Sequence, residues 1–198
     1  MVKYGSDENN KNGGFSMCKG ENKIKMCSFY VSEVHLATMT LPYLTKKIEE
    51  GNIVYPILEK SLTPTINKLL NKITLKAELK EEIRKINWEE KKQYKYYELE
   101  QELNEKWKEN HNIYFLIMGT EEYKKRMEKQ INRYQEVKNR KEKIVLINCY
   151  EVTEEGISIT EILKEHDKVL NTSGEREKEE IFGELAQKKE EENKKIAK

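Results

Sequence analysis

A chain of 198 residues with 37 Lys plus Arg against 36 Asp plus Glu carries a formal net charge of +1, which excludes the overall electrostatic bias that draws a protein to nucleic acid or to an anionic membrane. Its length suits one domain, and charged residues at 37% beside hydrophobic ones at 36% point to long solvated helices around a compact interior. No run approaches the ~20 apolar residues of a membrane span, the N-terminus lacks an apolar signal core, and Cys18, Cys27 and Cys149 show no metal-ligand or CxxC spacing, so a cytoplasmic protein with reduced thiols is expected.

Residues 1–22 are rich in Gly and Asn and poor in branched apolar side chains, which predicts a disordered tail. The true start then lies at Met1, Met17 or Met26. Lys25 to Val31 has the length and composition of a first strand. Ser32 then caps a helix whose apolar positions Val34, Ala37, Leu41, Leu44 and Ile48 form one stripe ending at Gly51, with Pro42 predicting a kink. Asn52 to Leu58 reads as a second strand, with Pro56 expected at a bulge or near the strand end. Thr63-Pro64 starts a helix with Ile66, Leu69, Leu70 and Ile73 inside.

Leu75, Leu79, Ile83 and Ile86 fit another helix, although Lys85 to Trp88 also reads as a short strand. A longer helix is expected from about Glu89, with Tyr96, Leu99, Leu103 and Trp107 along one side and a solvated charged face opposite. Asn112 to Met118 is a buried strand closed by Gly119-Thr120, followed by a helix burying Tyr123, Met127, Ile131 and Tyr134. Lys143 to Val152 carries the unbroken apolar run Ile144-Val145-Leu146-Ile147, as a strand buried on both faces does. Ser158 and Glu161 have capping-box spacing ahead of a helix carrying Ile159, Ile162, Leu163, Val169 and Leu170. Thr172-Ser173-Gly174 ends it.

Strand and helix alternate, so the fold class is α/β with a mainly parallel sheet flanked by helices on both faces. The organisation is a tail over residues 1–22, one domain over residues 23–174 and a charged C-terminal helix over residues 175–198 that frays at its end. Parallel strands place the segments after Val31, Leu58, Met118 and Tyr150 along one edge, where ligands of open α/β sheets gather.

The order of short motifs carries a family resemblance. A strand ending in FYVSE, a helix with LPYL, the strand IVYPILE, a strand ending in MG, a helix with NRYQEV, then INCYEV and ILKEHDKVLNTSG resemble the MEDS domain, the sensory domain of methanogen and methylotroph regulators. The match runs from about Cys27 to Gly174. It implies a RecA-like core with a degenerate P-loop that serves as a sensing module, commonly joined to a kinase or DNA-binding domain. Tyr134 and Glu136 lie where the family has a Tyr-Glu pair, but Gln135 separates them. Tyr150-Glu151 matches a Tyr-Asp pair with a longer acid, and His166 matches a His usually followed by Pro, where this chain has Asp167.

ATP hydrolysis on such a core needs the phosphate cradle GxxxxGK[ST]. After its first strand this chain offers Ser32-Glu33-Val34-His35 instead, with Glu33 opposing an anionic phosphate. His111 and His166 share no metal-ligand spacing with His35, and neither a GxSxG elbow nor a supported Cys/His pair is present. The basic patch over residues 138–143 is interrupted by Glu142, and Tyr94, Tyr96 and Tyr97 beside Lys91, Lys92 and Lys95 read as helix packing rather than a base-stacking platform.

The expectation is therefore a non-catalytic sensory or regulatory module without cofactor or metal. A small ligand, or a partner such as a kinase or transcriptional regulator, would meet the edge formed by Ser32, His35, Glu59, Gly119, Thr120, Tyr150 and Glu151. Two alternatives stand beside it. One is a nucleotide-binding protein or enzyme using His35 and Glu151, the other a structural interaction protein acting through its charged helices.

Overall fold

A computed structural model describes residues 22–107, 111–139, 141–153 and 157–183. The expectations for the N-terminal tail, for Cys18 and for the end of the C-terminal helix fall outside them. In chain order the elements are β1 (Lys23–Tyr30), α1 (Glu33–Glu49), β2 (Ile53–Leu58), α2 (Thr63–Lys72), α3 (Ala77–Lys85), α4 (Tyr96–Lys106), β3 (Ile113–Met118), α5 (Glu121–Lys138), β4 (Ile144–Glu151), α6 (Ile159–Glu165), β5 (Lys168–Asn171) and β6 (Gly174–Glu177). Residues 178–183 are helical.

The strands form one six-stranded sheet in the order β2-β3-β4-β1-β5-β6. All neighbours are parallel except the terminal β5-β6 hairpin. The continuous apolar runs occupy the interior of the sheet: every residue of β3 is buried, as is all of β4 up to Tyr150. Such runs suit strands covered on both faces. The architecture is α/β, a mainly parallel sheet flanked by helices, and is consistent with a RecA-like core.

Alternation along the strands separates two layers. On one face Leu36 and Leu44 of α1, Ile66 and Leu70 of α2 and Ile83 of α3 pack against Met26, Val54, Leu116, Val145 and Ile147. On the other, Leu99 and Leu103 of α4 and Met127, Ile131 and Tyr134 of α5 cover Tyr55, Ile57, Phe115, Ile117 and Leu146. Leu163 of α6 joins this side over Cys27, Tyr150 and Val169. Each fully buried Leu or Ile contributes about 1.5–3 kcal/mol, so the two layers account for most of what holds the sheet. Both strand cysteines pack as small hydrophobes, and burial pushes each thiol up to about 12.

Four sequence expectations are corrected. Pro56 lies in the middle of β2 without a bulge, in unbroken register opposite Leu116. The sheet tolerates it because β2 is an edge strand, where an absent N–H interrupts no second ladder. The strand reading of Lys85 to Trp88 fails, since α3 runs to Lys85 and the segment after it joins the sheet's hydrogen-bond ladder in an isolated bridge between Leu58 and Glu90, beyond Trp88. The helix expected from Glu89 begins at Tyr96, because Lys91 is held by its N–H to the Leu58 carbonyl at 2.6 Å. The helix expected through Leu170 stops at Glu165, and Val169-Leu170 lie in β5, the start of a hairpin whose second strand, residues 174–177, takes the first three residues of the helix expected from residue 175. Pairing of Met26 and Cys27 with Lys168 and Val169 outweighs the local helical spacing.

Candidate functional site

Because β1 leads into α1 on one face of the sheet and β4 leads into α6 on the other, the strand connections diverge between these two neighbours. A crevice opens at such a point in open α/β sheets. Here it is a cleft of about 400 Å³ lined by Tyr30, Val31, Ser32, Glu33, Val34, Lys60, Met118 and Glu151. Tyr30 ends β1, Met118 ends β3, Glu151 ends β4, and Lys60 follows β2 by two residues. Each of the strands β1 to β4 thus supplies a residue at or just beyond its carboxyl end.

The turn entering α1 is built by Ser32, whose Oγ accepts from the His35 N–H at 3.2 Å. That geometry sets Glu33 in the first helical turn, where a carboxylate complements the helix dipole. Lys60 reaches across the cleft to it, with Nζ 2.5 Å from Glu33 Oε1. The hydrogen bond and charge of Glu33, with a smaller contribution from the Glu151 charge, raise the Lys60 ammonium above the usual lysine range. Glu151 Oε1 accepts from Thr153 Oγ1 at 3.2 Å. No Lys, Arg or His among the described residues forms a salt bridge with it. Val31 and Val34 are each 54% exposed, which leaves apolar surface at the mouth.

Of the residues expected along this edge, the cleft brings together Ser32 and Glu151. His35 sits one turn behind, its Nδ1 accepting from the Val31 N–H at 3.3 Å. Glu59, Gly119 and Thr120 form a separate unit at the start of α5. There the Glu59 carboxylate accepts from the Thr120 N–H at 2.7 Å, and Thr120 Oγ1 accepts from the Tyr123 N–H at 3.3 Å. Gly119 has φ +157°, and a Cβ there would stand 2.7 Å from both Glu59 Oε2 and Tyr123 Cδ1. Tyr150 is buried on the opposite side of the sheet from the cleft, against α5 and α6. Adjacent residues of a strand face opposite ways, so Tyr150 and Glu151 do not share a site.

Sequence reasoning missed both Lys60 and a buried polar cluster under α5 and α6. Lys124, 3% exposed, donates to the carbonyls of Gly119 at 2.9 Å and Cys149 at 3.3 Å, and lies 3.9 Å above the Tyr150 ring. Asn148 Nδ2 donates to Glu128 Oε1 at 2.5 Å and approaches His166 Nε2 at 3.2 Å; Glu128 in turn pairs with Lys25 at 3.0 Å. His166 Nδ1 is 2.6 Å from the Ile162 carbonyl. Burial first, and then the Lys25 charge, lowers the His166 imidazole, against the pull of that carbonyl and of Glu128. Asn148 interrupting an apolar strand was a legible signal; Lys124, within a charge-dense helix, was not.

Among the described residues no three His, Cys, Asp or Glu side chains converge as metal ligands, and no helix is long and apolar enough to cross a membrane. The chain matches no family model, no curated protein and no solved structure. The likeness to the MEDS domain therefore rests on the order of the sequence motifs alone.

Proposed function

We propose that this protein is a non-catalytic cytoplasmic sensory or regulatory module that binds a small ligand in the cleft between the β1 and β4 ends and passes its occupancy to a partner, such as a kinase or transcriptional regulator. The observation that carries this reading is the convergence of Tyr30, Lys60, Met118 and Glu151 from four parallel strands on one crevice. Its volume falls within the range of small-molecule sites. Ser32 and His35 are engaged with the backbone of the same turn, an arrangement that favours a shaped wall over a nucleophile and its base. Glu33 stands where a phosphate cradle would begin and opposes an anionic nucleotide tail. The MEDS resemblance points the same way.

Calorimetry with ATP and magnesium tests it against the nucleotide reading. The expected result is no saturable binding. Clear binding that Glu151→Gln abolishes would replace the sensory assignment with a nucleotide-binding one.

A further inference from the structure

The charges and walls of the cleft select a chemical class of ligand, an inference that rests on the small-ligand reading above. Besides Tyr30, its ionisable lining is Glu33, Lys60 and Glu151. Lys60 is in contact with Glu33 at 2.5 Å and only feels the Glu151 charge from farther off, so one lysine faces two carboxylates and Glu151 is the one without a direct cationic partner among the described residues. Its hydrogen bond from the neutral Thr153 hydroxyl at 3.2 Å does not balance that charge. Beside it lie Val31, Val34 and Met118, side chains that solvate hydrocarbon and not a second ion.

We propose that the cleft binds a small organic cation, an amine or quaternary ammonium, with its charge on Glu151 and its hydrocarbon against Val31, Val34 and Met118. A carboxylate next to apolar walls favours a weakly hydrated ammonium over an inorganic cation, because the alkyl groups bury apolar area while the charge is paired. An anion meets two carboxylates and a lysine already neutralised. A neutral isostere keeps the apolar contact and loses the charge contact.

The test uses the full chain and three probes of nearly equal shape: choline, 3,3-dimethylbutan-1-ol and 3,3-dimethylbutanoate, titrated by amide NMR. Choline is expected to shift the signals of residues 31–34 and 151–153 saturably, with both isosteres weaker by about tenfold or more, the factor that about 1.4 kcal/mol of charge contact gives. Glu151→Gln should weaken choline by a similar factor. Lys60→Ala, at a side chain 75% exposed, should tighten it several-fold by freeing Glu33. Equal binding of choline and the alcohol, preference for the carboxylate, or choline binding undiminished in Glu151→Gln would overturn the cation assignment and leave the cleft as a ligand site. No saturable shift at the cleft from any of the three would overturn the small-ligand reading with it.

Discussion

Asn148 Nδ2 lies 3.2 Å from His166 Nε2 in a core where the two residues are each 1% exposed. Since His166 Nδ1 lies 2.6 Å from the Ile162 carbonyl, that nitrogen carries the proton and Nε2 is left as the acceptor. The same amide donates to Glu128. A flip of Asn148 would turn its oxygen toward the Glu128 carboxylate, setting two acceptors against each other and stripping Glu128 of its donor.

Acid should therefore act on stability through His166. An unfolded histidine titrates near 6.5 and burial lowers the folded value. Below about 6.5 the unfolded chain takes up a proton that the folded chain resists, so the contribution is complete above that pH and is lost as pH falls toward the folded value. Urea midpoints measured from about pH 8 down to about pH 5 should decline for the native chain. They should decline less for His166→Gln, and parallel curves would refute the assignment.

Lys124→Met keeps most of the buried stem but removes the donor to the Gly119 and Cys149 carbonyls. Leaving a buried acceptor without its donor costs about 1–3 kcal/mol. For a domain of this size that is a fall of several degrees in Tm, readable by calorimetry. An unchanged Tm would mean that the apolar replacement compensates fully, as it does at some buried charges.

At Gly119 a methyl group meets Glu59 and Tyr123 at 2.7 Å and adopts a φ that L side chains avoid. Gly119→Ala should lower stability by about 1–3 kcal/mol. Hydrogen exchange should localise the loss to the start of α5, where the Thr120 cap is displaced.

Across the sheet, Tyr55, Tyr94 and Glu102 enclose Lys91. Its Nζ is 3.0 Å from Glu102, and Tyr55 donates to the same carboxylate. Burial pushes Glu102 upward, but hydrogen bonds from Tyr55 and Lys91 outweigh it and hold the carboxyl below the usual range. Glu102→Ala leaves a lysine side chain that is 7% exposed without its counter-ion. Because Glu102 itself is partly solvated, the expected loss is about 1–3 kcal/mol rather than the full value for a buried pair. Restoration of stability by a second change, Lys91→Met, would confirm that the stranded charge is the cause.

The long apolar strands and the amphipathic helices were legible because they announce themselves locally. Ile144 to Ile147 and Ile113 to Met118 are apolar without interruption, and their length alone calls for burial on both faces. The shared carboxyl edge followed from parallel pairing, which brings Ser32 and Glu151 to one crevice but leaves His35, Glu59, Gly119, Thr120 and Tyr150 out of its lining. Lys60 was not legible, since a lone lysine after a strand has no periodic signature until its partner Glu33 is brought beside it.

The sequence by itself determined the α/β class, β1 to β4 and the edge on which a ligand would be sought, since apolar periodicity is a property of neighbouring residues. Only the tertiary structure decided that residues 168–171 are a strand, that Tyr150 and Glu151 serve opposite faces, and that Asn148 meets His166. Those outcomes depend on partners distant in the chain, and a four-residue segment such as Lys168–Asn171 holds too few side chains to choose its conformation before Met26 and Cys27 pair with it.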